Sequence, residues 1–232
     1  MKTLYISSKP CYPQIDGGCV ASANFLNILL DAEVDIEYLT ISTPKHPFKP
    51  GAFPPILRKK INPTSIQINT SVNPFSAFKY LFNNKSYNIE RFYSKEFENG
   101  ILNKLKINTF DNVILDGLYA TPYIEQIRNN FEGKIIVRTH NVEFKIWEDL
   151  SKNERNAFKA RYLKKLAKDL KRYECSVLKK ADGVMTISID DLNQFKCLDI
   201  ENMISIPMAI KAATTAHNYA NNSLFHVGSM NW

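Results

Sequence analysis

The sequence predicts an α/β protein, a parallel sheet flanked by helices, and three observations carry that expectation. Val113-Ile114-Leu115 and Ile135-Ile136-Val137 are short, unbroken apolar runs that end in polar residues, the pattern of strands buried on both faces. Stretches with apolar residues at helical spacing lie between such runs, and strands joined through a helix pair in parallel by right-handed crossovers. The chain also opens as strand, paired glycine and helix, an arrangement that presents backbone amides at a helix N-terminus.

Taken in order, residues 3–6 read as the first strand. A loop over 7–16 with Pro10 and Pro13 leads to Gly17-Gly18 and a helix over 20–30, where Phe25, Leu26, Leu29 and Leu30 repeat at helical spacing. Adjacent glycines at a helix start let a phosphate or another backbone come close. A plain tight turn explains them as well, since neither a Gly-x-Gly-x-x-Gly fingerprint nor a P-loop is present. Residues 34–41 alternate as a second strand. The segment from His46 to Pro55 is a proline-rich irregular loop on which Arg58, Lys59 and Lys60 also fall. Residues 65–69 give a third strand, and 75–82 and 89–107 carry the spacing of amphipathic surface helices. Residues 111–117 form a buried strand that ends in Asp116 and Gly117, and Pro122 begins the next helix.

The strand 135–137 is followed by Asn141, a residue suited to a helix N-cap, and Glu143, an acid suited to the first turn. His140 is thereby placed in the crevice between a strand end and a helix start, where open α/β sheets bind ligands, and it is the side chain best able to donate or accept a proton near neutral pH. Asp116 is a second polar group at a strand end, although a turn or cap role beside Gly117 is the simpler reading. One long helical region is expected over 142–180, with Phe158, Tyr162, Leu163, Leu166, Leu170, Tyr173 and Val177 on one face and lysines and arginines on the other. Ser188 and Asp191 have the form of a capping box, and 203–206 reads as a strand.

With 232 residues, 44% of them hydrophobic, the chain has ample material for a core. No apolar run approaches the ~20 residues that span a bilayer, and the N-terminus lacks the apolar centre of a signal peptide, so a cytoplasmic location is the default. Cys11, Cys19, Cys175 and Cys197 have neither Cys-x-x-Cys nor histidine at zinc-ligand spacing, which argues against a metal site or a disulfide framework. A net charge of +7 points to an anionic partner. Because the aromatics of 158–180 lie on the apolar face rather than among the lysines, nucleic acid fits poorly.

Arg138-Thr139-His140-Asn141-Val142-Glu143 with Trp147 close behind resembles a segment of the N-terminal domain of bacterial family 4 (group 1) glycosyltransferases of the GT-B fold. Further segments follow in the same order: the proline-containing loop with Gly17-Gly18, Arg172-Tyr173-Glu174, Ala181-Asp182, and a strand ending at Ser188 with Asp191 three positions on. Pro207-Met208-Ala209-Ile210 departs from the family's Pro-Asn-Gly-Val-Asp, keeping only the proline. Residues 223–232 resemble the opening strand and glycine turn of the family's second domain. The resemblance implies a Rossmann-like acceptor-side domain over 1–210, a linker over 211–222 and the first strand of a truncated donor domain over 223–232.

On this resemblance the activity is nucleotide-sugar-dependent hexosyl transfer with retention of configuration, in polysaccharide or glycolipid assembly, and the piece alone is expected to be inactive. His140 would be the catalytic contact to the donor sugar. Gly17 and Gly18 would lie against the donor, and Tyr12, Asp116 and Asn141 on the acceptor side. No cofactor or metal is implied, the nucleotide-sugar being a co-substrate. The partners implied are the donor and a glycan or lipid-linked acceptor, with peripheral contact to the inner face of the membrane through the basic helix 158–180. Two competing readings remain: a non-catalytic Rossmann-like module that docks on an anionic membrane or polyanion, and another GT-B enzyme such as a nucleotide-sugar epimerase.

Overall fold

The computed structural model describes residues 1–71, 80, 85–198 and 200–208. Seven strands form one parallel sheet: β1 (Lys2–Ser7), β2 (Asp35–Ser42), β3 (Thr64–Gln67), β4 (Asn112–Asp116), β5 (Lys134–Thr139), β6 (Gly183–Thr186) and β7 (Met203–Ser205). Their spatial order is β3-β2-β1-β4-β5-β6-β7. The chain therefore winds outward from β1 to β3, returns, and winds the other way from β4. The strand order reverses between β1 and β4, and their carboxyl ends open the crevice in which such sheets bind ligands. This is the Rossmann-like fold that the apolar runs and crossovers predict.

The period of two along each strand divides the core into two layers. Leu4, Ile6, Leu39, Ile41, Val113, Leu115, Ile135 and Val137 point to one face. There they pack against the helices α3 (Tyr87–Glu90), α4 (Lys95–Ile107), α5 (Ile124–Arg128), α6 (Glu143–Asn153) and α7 (Ala157–Leu178). Tyr5, Ile36, Tyr38 and Ile114 point to the other, against α1 (Gly17–Asp31) and α2 (Pro55–Ile61). α8 (Ile189–Phe195) precedes β7 and is capped by Ser188, whose hydroxyl accepts from Asp191 N at 3.0 Å.

Four local expectations are corrected. The helical region 142–180 is a hairpin of α6 and α7, because a continuous rod would leave the apolar stripe of one half without a partner. Asn156 marks the break by accepting from Lys159 N at 3.0 Å. The span 89–107 is likewise two helices, with Ser94 capping the second. Arg58, Lys59 and Lys60 lie in the last turn of α2, not on a loop, where cations suit the negative end of the helix dipole. Asn141 does not cap α6. Val142 holds the cap position without a side-chain bond, and Glu174 on α7 supplies the missing acceptor, taking Glu143 N at 3.1 Å and Phe144 N at 3.0 Å. The expected helix 75–82, the linker 211–222 and the strand in 223–232 fall outside the described residues.

Candidate active site

A cleft of about 890 Å³ lies over the carboxyl edge of the sheet at the β1/β4 reversal. Ser8 and Gly117, the residues just past β1 and β4, form its floor. Gly17, Gly18, Lys9, Asp16 and His46 bound it on the side of α1, and Arg91, Phe92, Tyr119 and Glu143 on the side of α3 and α6, with His140 and Asn141 entering from the end of β5. The cleft thus straddles the sheet edge. Gly117 permits this floor: its φ is +89°, and a Cβ there would stand 2.4 Å from Ser8 Oγ, while its N–H continues the ladder to Arg138 O at 2.8 Å.

Beneath His140 lies a buried polar cluster. Asp116 and Arg138 are direct neighbours across β4 and β5, both pointing to the α1 face. Asp116 is 0% exposed and Arg138 2%. Asp116 Oδ1 accepts from Arg138 Nη1 at 2.8 Å and lies 2.8 Å from His140 Nε2, and Oδ2 accepts from Ser22 Oγ of α1 at 2.5 Å. Arg138 also donates to Ala21 O at 3.3 Å and lies over the Phe25 ring at 4.7 Å. Burial alone would raise the Asp116 carboxyl, but the His140 and Arg138 side chains outweigh it and hold it well below the ordinary carboxylate range. Nε2 lies between a carboxylate oxygen at 2.8 Å and a guanidinium nitrogen at 2.9 Å; donating to Asp116 keeps its lone pair from facing an anion but sets its N–H beside an Arg138 N–H. With Nε2 as that donor, Nδ1 is the free acceptor of a ring that lines the cleft.

On the α1 side, Asp16 caps the helix by accepting from Cys19 N at 2.8 Å and is gripped by Lys9 Nζ at 2.7 Å. Burial works against this carboxylate, yet Lys9 and the Cys19 amide bring it down to about 2. The amides of Gly17 and Gly18, first in the helix, have no intrahelical acceptor. A Cβ on Gly17 would meet only open space, whereas one on Gly18 would lie 2.8 Å from Lys9 Nζ. Gly18 makes room for the Lys9–Asp16 pair, and Gly17 leaves the cleft open. Donor atoms of Asp16, Cys19 and His46 come within 4.8 Å of one another, the one group of metal-type donors among the described residues. Asp16 is engaged by Lys9, and the Cys19 thiol donates to Pro10 O at 3.4 Å.

Of the residues singled out from the sequence, His140, Asn141, Gly17 and Gly18 line the cleft. Asp116 does not, and its assignment as an acceptor contact is corrected: its carboxylate is sealed under α1 and reaches the cleft only through His140. Tyr12 is also displaced, packing on Phe53 with ring centroids 5.2 Å apart and lining a separate small cavity of about 110 Å³. Lys9, Arg138, Arg91 and Glu143 were not singled out as site residues. Arg138 and Glu143 had a sequence signal, since both belong to the segment Arg138-Thr139-His140-Asn141-Val142-Glu143 that carries the resemblance. Tyr119 donates to Glu143 Oε2 at 3.1 Å, and burial pushes the Glu143 carboxyl upward against that bond.

Comparison with family models and with curated proteins gives no match. Solved structures do match in fold. UGT89C1 of Arabidopsis thaliana, complexed with UDP-L-rhamnose, has a TM-score of 0.51 at 12% identity over 89% of this chain and 48% of its own. A UGT transferase from Siraitia grosvenorii, in complex with UDP, has 0.54 at 10% over 93% and 53%. Sucrose-phosphate synthase from Thermosynechococcus elongatus has 0.54 at 12% over 89% and 48%. These neighbours are glycosyltransferases of the GT-B type, and this chain spans about half the length of each.

Proposed function

We propose that this chain is the acceptor-side half of a nucleotide-sugar-dependent glycosyltransferase. The observation that carries the reading is His140, oriented by the buried Asp116–Arg138 pair and set in the cleft at the strand-order reversal. A non-catalytic docking module would need no such cluster under its cleft. Similarity in fold to GT-B glycosyltransferases supports the class. The finer reading remains that of the sequence resemblance: a family 4 (group 1) enzyme of bacterial type that transfers a hexose with retention in polysaccharide or glycolipid assembly, with the nucleotide-sugar as co-substrate.

In this reading the amides at Gly17 and the open space beside it receive the donor's sugar-diphosphate, with Lys9 as the nearest cation for the charge on the leaving group. His140 Nδ1, held toward the cleft by the Nε2–Asp116 bond, accepts a hydrogen bond from a hydroxyl of the bound sugar and fixes its orientation. Asn141 stands beside it for the acceptor. One specific observation favours a second reading of the same site. A histidine backed by a carboxylate is also the arrangement of a general base, and if Nδ1 takes the proton of the acceptor hydroxyl, attack from the opposite side inverts the anomeric centre. The anomer of the product separates the two.

The acceptor in this reading is a glycan or a lipid-linked one, and the α6–α7 hairpin offers a peripheral contact to an anionic membrane. Phe158 is 90% exposed near its tip, with Leu150 at 50% and Ile146 at 44%, among Lys152, Arg155, Lys159, Arg161 and Lys164. No helix among the described residues is long and apolar enough to cross a membrane.

The test is release of nucleoside diphosphate from a panel of nucleotide-sugars by protein that carries both domains, with His140→Ala alongside. Turnover with one donor, reduced at least 100-fold by the substitution with the unfolding midpoint little changed, is the expected result. Unchanged turnover in His140→Ala removes the assignment of that residue, and no turnover with any donor removes the glycosyltransferase reading.

A further inference from the structure

The cleft has two sides, and only one is accounted for by a donor lying against Gly17. We propose that the other side is an oxyanion subsite built on Arg91, so that the acceptor this chain recognises carries a phosphate or carboxylate group. The inference rests on the glycosyltransferase reading for the word acceptor, but not for the site itself.

Arg91 follows the short helix α3 and lines the cleft with Ser71, Phe92, Tyr119 and Glu143. These residues stand beyond the carboxyl edge on the face of the sheet opposite α1, so His140 and the floor residues Ser8 and Gly117 separate Arg91 from Gly17. Lys45 also lines the cleft, exposed beside His46, but the state of the Arg91 guanidinium sets it apart from the paired cations. Arg138 is paired with Asp116, and Lys9 with Asp16. Arg91 has no carboxylate partner among the described residues, lies over the Tyr87 ring at 5.6 Å, and keeps a buried Nε with no hydrogen-bond acceptor.

A buried donor left without a partner costs ~1–3 kcal/mol, so such a group calls for an acceptor that the described residues do not supply. The planar fork of a guanidinium matches two oxygens of a phosphate or carboxylate. The surroundings suit an acidic sugar. Phe92 and Tyr119, with ring centroids 4.5 Å apart and planes tilted by 30°, form an apolar wall. Ser71 Oγ, which donates to Asn69 Oδ1 at 2.6 Å, keeps its lone pairs for a hydroxyl. Glu143 is the one acid on this side of the cleft. Its carboxyl accepts from Tyr119 and is shifted by burial toward the neutral form, which weakens the repulsion an incoming anion would meet.

The test is a titration of the 15N-labelled 232-residue chain with glucose, glucose 6-phosphate and glucuronate, followed by amide shifts, in the wild type and in Arg91→Gln, Arg91→Lys and Lys9→Gln. At least one acidic sugar should bind 10-fold or more tighter than glucose, with shifts around Arg91, Phe92 and Tyr119. That preference should vanish in Arg91→Gln, return in part in Arg91→Lys and survive Lys9→Gln. Which acidic sugar binds identifies the oxyanion. Equal binding of all three sugars, no binding, or a preference that survives Arg91→Gln overturns the subsite. A preference lost in Lys9→Gln instead assigns the anion to the α1 side and also overturns it. Amide spectra of the variants establish that each is folded. The glycosyltransferase reading is judged separately by donor turnover, so either can fail while the other stands.

Discussion

Replacing Asp116 with asparagine tests whether the cluster beneath the cleft is what the geometry makes it. The side chain keeps its shape, and its remaining oxygen can still face Arg138 Nη1 and His140 Nε2, while the Ser22 hydroxyl turns to accept from the new amide. What is lost is the charge, which leaves the guanidinium of Arg138, 2% exposed, without a counter-ion. Removing one partner of a buried pair costs ~3–5 kcal/mol, because the other charge stays buried. An exposed acid in a turn would lose at most ~0.5 kcal/mol. With a urea slope of about 2–3 kcal/mol per M, the unfolding midpoint should fall by about 1–2 M.

A second substitution identifies the cause. Adding Arg138→Met to Asp116→Asn removes the stranded cation and should restore more than half of the loss. The pH profile gives an independent check. The folded-state pKa of Asp116 lies below its unfolded value, so its contribution is fully present above pH ~4 and is lost as pH falls below that value. The wild type should therefore lose more stability between pH 5 and 3 than the Asp116→Asn variant does. A midpoint shift under ~0.3 M, or no recovery in the double variant, would refute the buried pair as the support of His140.

Two further outcomes follow from the floor of the cleft and from the hairpin. Gly117→Ala sets a Cβ 2.4 Å from Ser8 Oγ at a φ of +89°, a combination worth roughly 2–3 kcal/mol of strain. Thermal unfolding should show that loss, with part of it recovered by Ser8→Gly, and an unchanged midpoint would contradict the floor geometry. In sedimentation with vesicles, the chain should bind those rich in anionic lipid and not purely zwitterionic ones. Binding should fall severalfold between 0.1 and 0.5 M salt, as expected when each lysine or arginine contributes about 1 kcal/mol, and again in Phe158→Asp. Binding indifferent to salt and to Phe158 removes the hairpin from the membrane reading.

The sheet was legible because its strands are buried on both faces. Such strands must be apolar throughout, and the runs at 113–115 and 135–137 are visible without knowledge of their neighbours. The ends of those runs then located His140 and Asn141, since crossover topology fixes which edge carries the loops. Asp116 was harder. Followed by Gly117 it reads as a turn residue, and its partner Arg138 lies on another strand. The two meet because Asp116 and Arg138 fall at the same height in the parallel register, a relation that no single segment contains. The hairpin break at 154–156 has neither proline nor glycine to announce it and is set by the packing of α6 on α7. Glu174 is the same lesson at longer range. The cap expected from Asn141 comes from a residue 31 positions from the amide it serves. Its burial, which pushes it up to about 8 against those two amide bonds, could be seen only in the folded chain.

The placement of charge in the cleft follows from the same winding. Residues on odd and even strand positions face different helical layers, so the sheet edge is the one place where groups from both layers approach the same space. Asp116, Arg138 and His140 come from the α1 face, and the two acids of that side of the cleft are balanced locally, Asp116 by Arg138 and Asp16 by Lys9, while Lys45 stands exposed beside His46. The opposite face contributes Arg91 with a donor unspent and Glu143 as the neighbouring acid. A ligand spanning the edge would thus meet free helix amides and a paired lysine at one end, a histidine in the middle, and at the other a guanidinium with no carboxylate partner among the described residues and no acceptor for its Nε. A two-substrate transfer requires two unlike subsites with an orienting group between them, and a single docking surface has no use for that asymmetry. Activity and anion preference should accordingly respond to different substitutions, turnover to His140 and Asp116 and acceptor choice to Arg91. If Arg91→Gln lowered turnover equally for neutral and acidic acceptors, the two ends of the cleft would not be separate subsites.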